Sequence, residues 1–103
     1  MTAPDYSAMS DAQLNADAGR LTGILYMIED GHSVDFDPAN DLNHASEFGA
    51  AFLEKFPEET ISVLWVPLRQ IWRIRSNTIE YDHASEARAR TVAVLVAWAA
   101  LNG

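Results

Sequence analysis

The chain has 103 residues, of which 49% are hydrophobic and none is cysteine, and its formal net charge is −8. This length and apolar content predict a single domain over residues 1–103, with residues 1–9 loosely ordered, and they exclude a disordered chain. The missing thiols exclude disulfides, thiolate metal sites and cysteine nucleophiles.

The acidic charge is concentrated in the first part of the sequence. Residues 1–60 carry twelve Asp and Glu against Arg20 and Lys55, whereas residues 61–103 carry three acids against five arginines. Such acidity argues against direct binding to nucleic acid, because that affinity comes from basic side chains that displace counterions. It favours a protein partner with a basic surface. The alternative interpretation is that the acids only keep a small protein soluble.

The first helix is predicted to begin after Ser10, which is placed to cap its N-terminus. Its apolar stripe at helical spacing consists of Leu14, Ala18, Leu21, Leu25 and Ile28. Gly31 is the expected stop. Gly19 and Gly23 each weaken a helix by about 1 kcal/mol relative to alanine, so residues 24–34 can instead form a strand.

The second helix is predicted to follow the stretch HSVDFDPAND, residues 32–41, and to end before Pro57. The side chains expected on its inner face are Leu42, Ala45, Gly49, Phe52 and Phe56, flanked by Phe48 and Leu53. The last helix is predicted to start at Ser85 and is apolar nearly all round from Val92. A helix of this kind packs against neighbours on more than one side.

Between these helices, residues 61–82 predict a three-stranded antiparallel sheet with turns at Ser76-Asn77 and around Leu68-Arg69. The strands are expected at 61–66, 70–75 and 78–82. The face toward the core would consist of Ile61, Val63, Trp65, Trp72, Ile74, Ile79 and Tyr81. The predicted fold is therefore α+β, with three helices and a three-stranded sheet in the order helix, helix, strand, strand, strand, helix.

The cross-strand pairs define the predicted register. Trp65 would lie opposite Trp72, and Trp72 opposite Tyr81, so that Trp72 is buried between them. On the reverse face Arg73 would lie opposite Glu80, and ion pairing explains these charges better than acid–base catalysis does.

The stretch at residues 32–41 contains the strongest candidate for chemistry. His32, Asp35, Asp37 and His44 could converge on a metal, but their spacing matches neither a calcium loop nor a recognised transition-metal pattern. The simpler interpretation is the start of a helix, with a turn at Asp37-Pro38 and either Asn40 or Asp41 as the capping residue. We therefore predict no metal and no cofactor.

A catalytic set is also missing from the sequence pattern. There is no glycine-rich elbow around a serine, and the only histidines are His32, His44 and His83. We predict a protein that is not an enzyme and has no catalytic residues. The N-terminal residues lack the features of a secretory signal, and the longest apolar run is too short to span a bilayer, so a cytoplasmic protein without membrane contact is expected.

Several short motifs resemble those of the phage ABA-sandwich family, small proteins of tailed phages and prophages. FDPANDLNHASEF resembles the start of that family's second helix, MSDAQLN resembles its opening, and a tryptophan-containing hairpin and an alanine-rich last helix follow in the same order. The resemblance implies an α/β/α layered sandwich and a phage gene expressed in the cytoplasm of a bacterial host. It implies no activity.

Two classes of function follow. The first is a non-enzymatic phage accessory protein that binds a basic surface of a host protein and inhibits a defence system, such as a CRISPR effector. Its acidic patch would consist of Asp17, Glu29, Asp30, Glu47, Glu54, Glu58 and Glu59. The second is a small-ligand or metal binder, or an enzyme, built on the Asp/His cluster of residues 32–44. A structural or homo-oligomeric role also stays open.

Overall fold

The structure, a computed structural model, describes residues 4–102 and contains three α-helices and two small antiparallel sheets. The elements are a short 3-10 helix Tyr6–Ala8, α1 Asp11–Thr22, β1 Tyr26–Glu29, β2 His32–Asp35, α2 Leu42–Lys55, β3 Ser62–Val66, β4 Ile71–Arg75, β5 Glu80–His83 and α3 Glu86–Asn102. The α+β class, the three helices and the three-stranded sheet agree with the sequence prediction. The hairpin β1–β2 is an additional sheet between α1 and α2.

The helix starts follow the predicted capping residues. The Ser10 hydroxyl accepts a hydrogen bond from the Gln13 N–H at 3.2 Å, and the Ser85 hydroxyl accepts one from the Arg88 N–H at 3.2 Å. The Asp41 carboxylate caps α2 by accepting from two backbone N–H groups of its first turn. Each cap satisfies donors that a helix N-terminus leaves without an intrahelical partner.

Helix α1 is shorter than predicted, because it ends at Thr22 rather than near Gly31. Gly23 adopts the left-handed conformation with φ of 77°, and its N–H bonds to the Gly19 carbonyl at 2.7 Å. A Cβ on Gly19 would lie only 3.0 Å from the Ile24 carbonyl oxygen, so a glycine is needed where the chain turns back. The long-helix prediction was wrong, and Leu25 is 78% exposed instead of continuing the stripe.

The strand alternative for residues 24–34 is confirmed by the β1–β2 hairpin. Its turn is Asp30-Gly31, with positive φ angles of 51° and 79°. Two successive positive φ values are required by the type I′ turn, which suits the twist of antiparallel strands and favours an Asp-Gly sequence. The hairpin pairs Glu29 with His32 at the turn and Tyr26 with Asp35 at its open end.

The three-stranded sheet has the order β3-β4-β5, and its first pairing is as predicted, with Trp65 opposite Trp72. The second pairing is displaced by two residues, because Tyr81 lies opposite Ile74 rather than opposite Trp72. The Ser76 hydroxyl accepts from the N–H groups of Thr78 and Ile79, which makes the turn four residues long instead of two. A shift of two leaves every side chain on its predicted face.

Helix α3 lies between the sheet and the other two helices. It packs against β4 and β5 on one side and against α1 and α2 on the other, and it buries nine residues. Trp98 of α3 stacks on Phe48 with ring centroids 5.9 Å apart. The reverse face of the sheet is open, since Leu64 is 54% exposed. The sheet is thus an outer layer, which differs from the expected α/β/α order with helices on both of its faces.

The segment before α1 contacts the hydrophobic core and α3. Tyr6 is 6% exposed and belongs to the main hydrophobic cluster. The Arg88 guanidinium on α3 donates to the Met9 carbonyl at 2.6 Å and pairs with the Asp11 carboxylate. Residues 1–3 lie outside the described residues.

The reverse face of the sheet carries the predicted ion pairs in the displaced register. Arg73 donates to both carboxylate oxygens of Asp82, at 2.9 and 3.0 Å. This hydrogen bonding, aided by the positive charges of Arg73, Arg69 and Arg75, lowers the pKa of Asp82 below its usual value of 3.8. The same hydrogen bond raises the pKa of Arg73.

A lowered folded-state pKa predicts how Asp82 contributes to stability across pH. The contribution is fully present above the ordinary carboxyl pKa and is lost as the pH falls through the lower folded-state value. We expect Asp82→Asn to destabilise the protein at neutral pH, and the difference from wild type to shrink in acid, as measured by urea denaturation. Glu47→Gln, which removes an exposed acid, is the control. A constant difference at every pH would contradict this origin.

Candidate functional site

An acidic cleft of about 620 Å³ lies between α1, the β1–β2 hairpin and the start of α2. Five of its lining residues are acids, namely Asp11, Glu29, Asp35, Asp37 and Asp41. His44 also lines the cleft and is 1% exposed. Of the four residues in the alternative metal-binding interpretation, the cleft brings together Asp35, Asp37 and His44, whereas His32 is exposed on β2 outside its lining.

The turn before α2 forms one wall of the cleft and is held by side chains from two other helices. Asn15 on α1 donates to the Asp37 carboxylate at 2.6 Å and accepts from the Ala39 N–H at 2.9 Å. The Thr91 hydroxyl on α3 donates to the Pro38 carbonyl at 2.7 Å. These bonds join all three helices at the turn, and the turn leads into α2 as the sequence predicts.

His44 is the third side chain that fixes this turn. Its Nδ1 accepts a hydrogen bond from the Asp37 N–H at 2.8 Å, and its Nε2 lies 2.7 Å from the Glu29 carboxylate. The ring stacks on Phe36 with centroids 5.8 Å apart. A neutral imidazole has one donor nitrogen and one acceptor nitrogen. Because Nδ1 faces a donor, the proton is on Nε2 and is donated to Glu29, which ties the β1–β2 hairpin to α2.

This hydrogen-bond arrangement opposes a metal at His44, although the local geometry offers ligands. Atoms of Glu29, Asp41 and His44 lie within 4.8 Å of one another. Ligation through Nε2 would need the proton on Nδ1, where it would meet the Asp37 N–H. Metal-bound histidines instead use their second nitrogen to donate to an acceptor. The geometry therefore favours an anchoring role for His44.

The seven acids predicted to form a patch are spread over several elements. They are Asp17 on α1, Glu29 and Asp30 on the β1–β2 hairpin, Glu47 and Glu54 on α2, and Glu58 and Glu59 after α2. Asp17 has a cationic neighbour, the Arg20 guanidinium at 3.4 Å. Glu59 is partly buried and hydrogen-bonded to Thr78, while Glu58 is exposed. Glu47 and Glu54 are exposed and lie two turns apart on one side of α2.

The arginines of the chain are all engaged by carboxylates. The pairs within 4.0 Å are Arg20–Asp17, Arg69–Asp82, Arg73–Asp82, Arg73–Glu80, Arg75–Glu80, Arg88–Asp11 and Arg90–Glu86. Within residues 4–102, ten acids have no arginine or lysine partner: Asp5, Glu29, Asp30, Asp35, Asp37, Asp41, Glu47, Glu54, Glu58 and Glu59. All ten precede residue 61. The sequence contains the excess of negative charge, whereas the pairing of individual charges depends on the fold.

Comparisons with protein-family models, with curated proteins and with solved structures find no match to this chain. The resemblance to phage ABA-sandwich proteins therefore rests on the sequence motifs alone. Within residues 4–102, no helix is both long and apolar enough to cross a membrane.

Proposed function

We propose that this protein is a non-enzymatic binding protein, and that the acidic surface of its first 60 residues engages a basic surface on a partner protein. The uneven ion pairing carries this proposal. Ten carboxylates lack a cationic neighbour among the described residues, and six arginines are already paired. Negative charges that the protein does not neutralise with its own cations produce a negative electrostatic potential at its surface. This potential attracts a positively charged partner and increases the rate at which the two proteins associate.

The histidine that lines the cleft is placed to hold the fold rather than to act as a general base. Asn15 and His44, which line the cleft, use their polar atoms in hydrogen bonds that hold the turn before α2, as does the buried Thr91 outside the lining. A general base must instead have a free acceptor that faces the substrate. The paired arginines likewise argue against a nucleic-acid partner, because phosphate binding depends on cationic groups that can exchange counterions.

The resemblance to phage proteins supports a more specific form of the proposal. A phage accessory protein would act in the cytoplasm of its bacterial host, and a defence nuclease or CRISPR effector would be a suitable partner. Such proteins hold nucleic acid in basic grooves, and a surface rich in carboxylates can imitate a phosphate backbone there. The partner would be inhibited by occupation of its groove, without any reaction.

The test is capture of bacterial lysate proteins on the immobilised protein at low and high salt. We expect a discrete set of basic proteins to be retained at low salt and released at high salt, since exposed charges are screened. Glu47→Gln, Glu54→Gln and Glu58→Gln together should abolish retention, because these exposed carboxylates carry the attraction.

A matched variant distinguishes an effect of the acidic surface from an effect of the net charge of the chain. Leu68→Lys, Gln70→Lys and Ala84→Lys together change the net charge as much as the three glutamines do, at exposed positions outside the first 60 residues. This control should retain the captured proteins. Capture that is indifferent to salt, or that survives the three glutamine substitutions, would show that the acids are only solvated surface.

A further inference from the structure

The outer edge of β3, Ser62–Val66, is an unprotected strand edge. The strand pairs with β4 on one side, and no described strand pairs with its other side. The apolar side chains at this end of the sheet are also poorly covered: Leu64 is 54% exposed, Trp65 is 41% exposed, and Leu68 in the following turn is 100% exposed. Both the backbone and the side chains of β3 are therefore open to an added strand.

The sequence of β3, SVLWV, lacks the residues that usually prevent the edge strand of a sheet from pairing with another chain. It has no charged residue, no proline and no glycine. Natural edge strands commonly carry a lysine, a proline or a bulge, because a plain edge pairs with other chains. Pro67 comes only after the strand has ended and leaves the five residues free to pair.

We propose that the β3 edge is a homodimer interface, in which β3 pairs antiparallel with β3 of a second copy to form a continuous six-stranded sheet. A two-fold axis at Leu64 sets Leu64 opposite its own counterpart, Val63 opposite Trp65, and Ser62 opposite Val66. Each of these pairs is free of charge, and the side chains of each pair lie on the same face of the sheet. The strand is thus self-complementary, as a two-fold interface requires.

The distribution of charge selects a second copy as the occupant. Two copies of a chain with net charge −8 repel each other over most of their surfaces. The β3 edge is the exception, since all ten carboxylates without a cationic partner lie before it in the chain, outside the sheet. Within the sheet, Arg73 and Arg75 on β4 are neutralised by Asp82 and Glu80 on β5, and Glu59, three residues before β3, is hydrogen-bonded to Thr78 in the β4–β5 turn. The edge is therefore where two copies can approach with little repulsion.

Sedimentation equilibrium of the purified chain over a range of concentrations tests the proposal. We expect a reversible dimer of twice 11.4 kDa. Leu64→Lys should weaken dimerisation at least tenfold, because the two-fold axis sets the two lysines directly opposite each other. Leu42→Lys is the matched control, as Leu42 is 44% exposed on α2 and lies outside the sheet, and it should dimerise as wild type does.

A charge-swap experiment makes the test specific to this register. Leu64→Glu alone should also be monomeric, and an equimolar mixture of the Leu64→Lys and Leu64→Glu variants should recover the dimer. Recovery requires that position 64 meets position 64 of the other copy. A wild-type chain that is monomeric at all concentrations would overturn the proposal. It would equally be overturned by a dimer that tolerates Leu64→Lys, or by a mixture that stays monomeric.

The response to salt distinguishes this interface from the proposed acidic surface. Added salt should strengthen the homodimer, because it screens the repulsion between two acidic chains. The same addition should weaken capture of basic proteins. The two proposals can therefore fail independently: Leu64→Lys should leave capture unchanged, and the three glutamine substitutions should leave the dimer intact.

Discussion

Trp98→Ala is expected to lower the free energy of unfolding by about 3–5 kcal/mol. Trp98 is 3% exposed, and its ring contacts three aromatic rings of α2 and the segment after it: Phe48, Phe52 and Phe56. Alanine would leave a cavity between α2 and α3. The three phenylalanine rings cannot move into this cavity without losing their own contacts in the core. Urea denaturation at a concentration where the chain is monomeric measures the loss.

Trp65→Ala is the matched control for this prediction. It removes the same side chain from a position that is 41% exposed, and its main aromatic contact is Trp72 at 5.0 Å. We expect a loss well below that at Trp98, because less apolar surface returns to water and no enclosed cavity forms. Equal losses at the two positions would contradict the assignment of the core to the α2–α3 layer.

His44→Ala is expected to cost about 3–5 kcal/mol, from a buried ring and a donor left unsatisfied. The Asp37 N–H loses its acceptor, and Glu29 loses the contact that holds the hairpin to α2. His32→Ala is the control, since His32 is exposed, and it should change stability by less than about 0.5 kcal/mol. Chemical denaturation of both variants gives the comparison.

The alternative interpretation of His44 as a metal ligand makes a different prediction. Zinc would then raise the melting temperature of the wild type and leave His44→Ala unchanged. We expect no such rise, because ligation would put a proton on Nδ1 against the Asp37 N–H. A zinc-dependent stabilisation that His44→Ala removes would show that the turn rearranges to bind metal.

The features that sequence analysis predicted well depend on neighbouring residues. Ser10, Asp41 and Ser85 cap helices through hydrogen bonds to residues two or three positions away. The local sequence therefore contains both partners of each cap. The pairing of Trp65 with Trp72 followed from alternation within one hairpin. The burial of α3 is also predictable, because the apolar run from Val92 leaves the helix no polar face to turn toward solvent.

The end of α1 and the β4–β5 register differ from the prediction for local reasons that the sequence does contain. Asp30-Gly31 between residues of high strand propensity is a strong hairpin signal, and it was outweighed by an apolar stripe of helical spacing. The displaced register depends on the Ser76 hydroxyl, which closes a four-residue turn that a two-residue interpretation ignores.

The side chains that build the candidate site were missed because their contacts are distant in sequence. Asn15 bonds across 24 positions to Ala39, and Thr91 bonds across 53 positions to Pro38. Arg88 reaches across 79 positions to the Met9 carbonyl. No periodicity or spacing in the chain indicates such partners, so the burial of His44 and the ion pairing of Arg88 become visible only once the helices are packed.

The central position of α3 has a consequence for folding during translation. Every element that α3 covers, from the short helix at Tyr6 to β5, leaves the ribosome before α3 does. Until then the apolar faces of α1, α2 and the sheet have no common surface to pack against, and the uncharged β3 edge is exposed beside them. Nascent chains that stall before Glu86 should therefore be protease-sensitive and prone to associate, whereas emergence of Glu86–Asn102 from the ribosome should let the helices and the sheet close together in a single cooperative step.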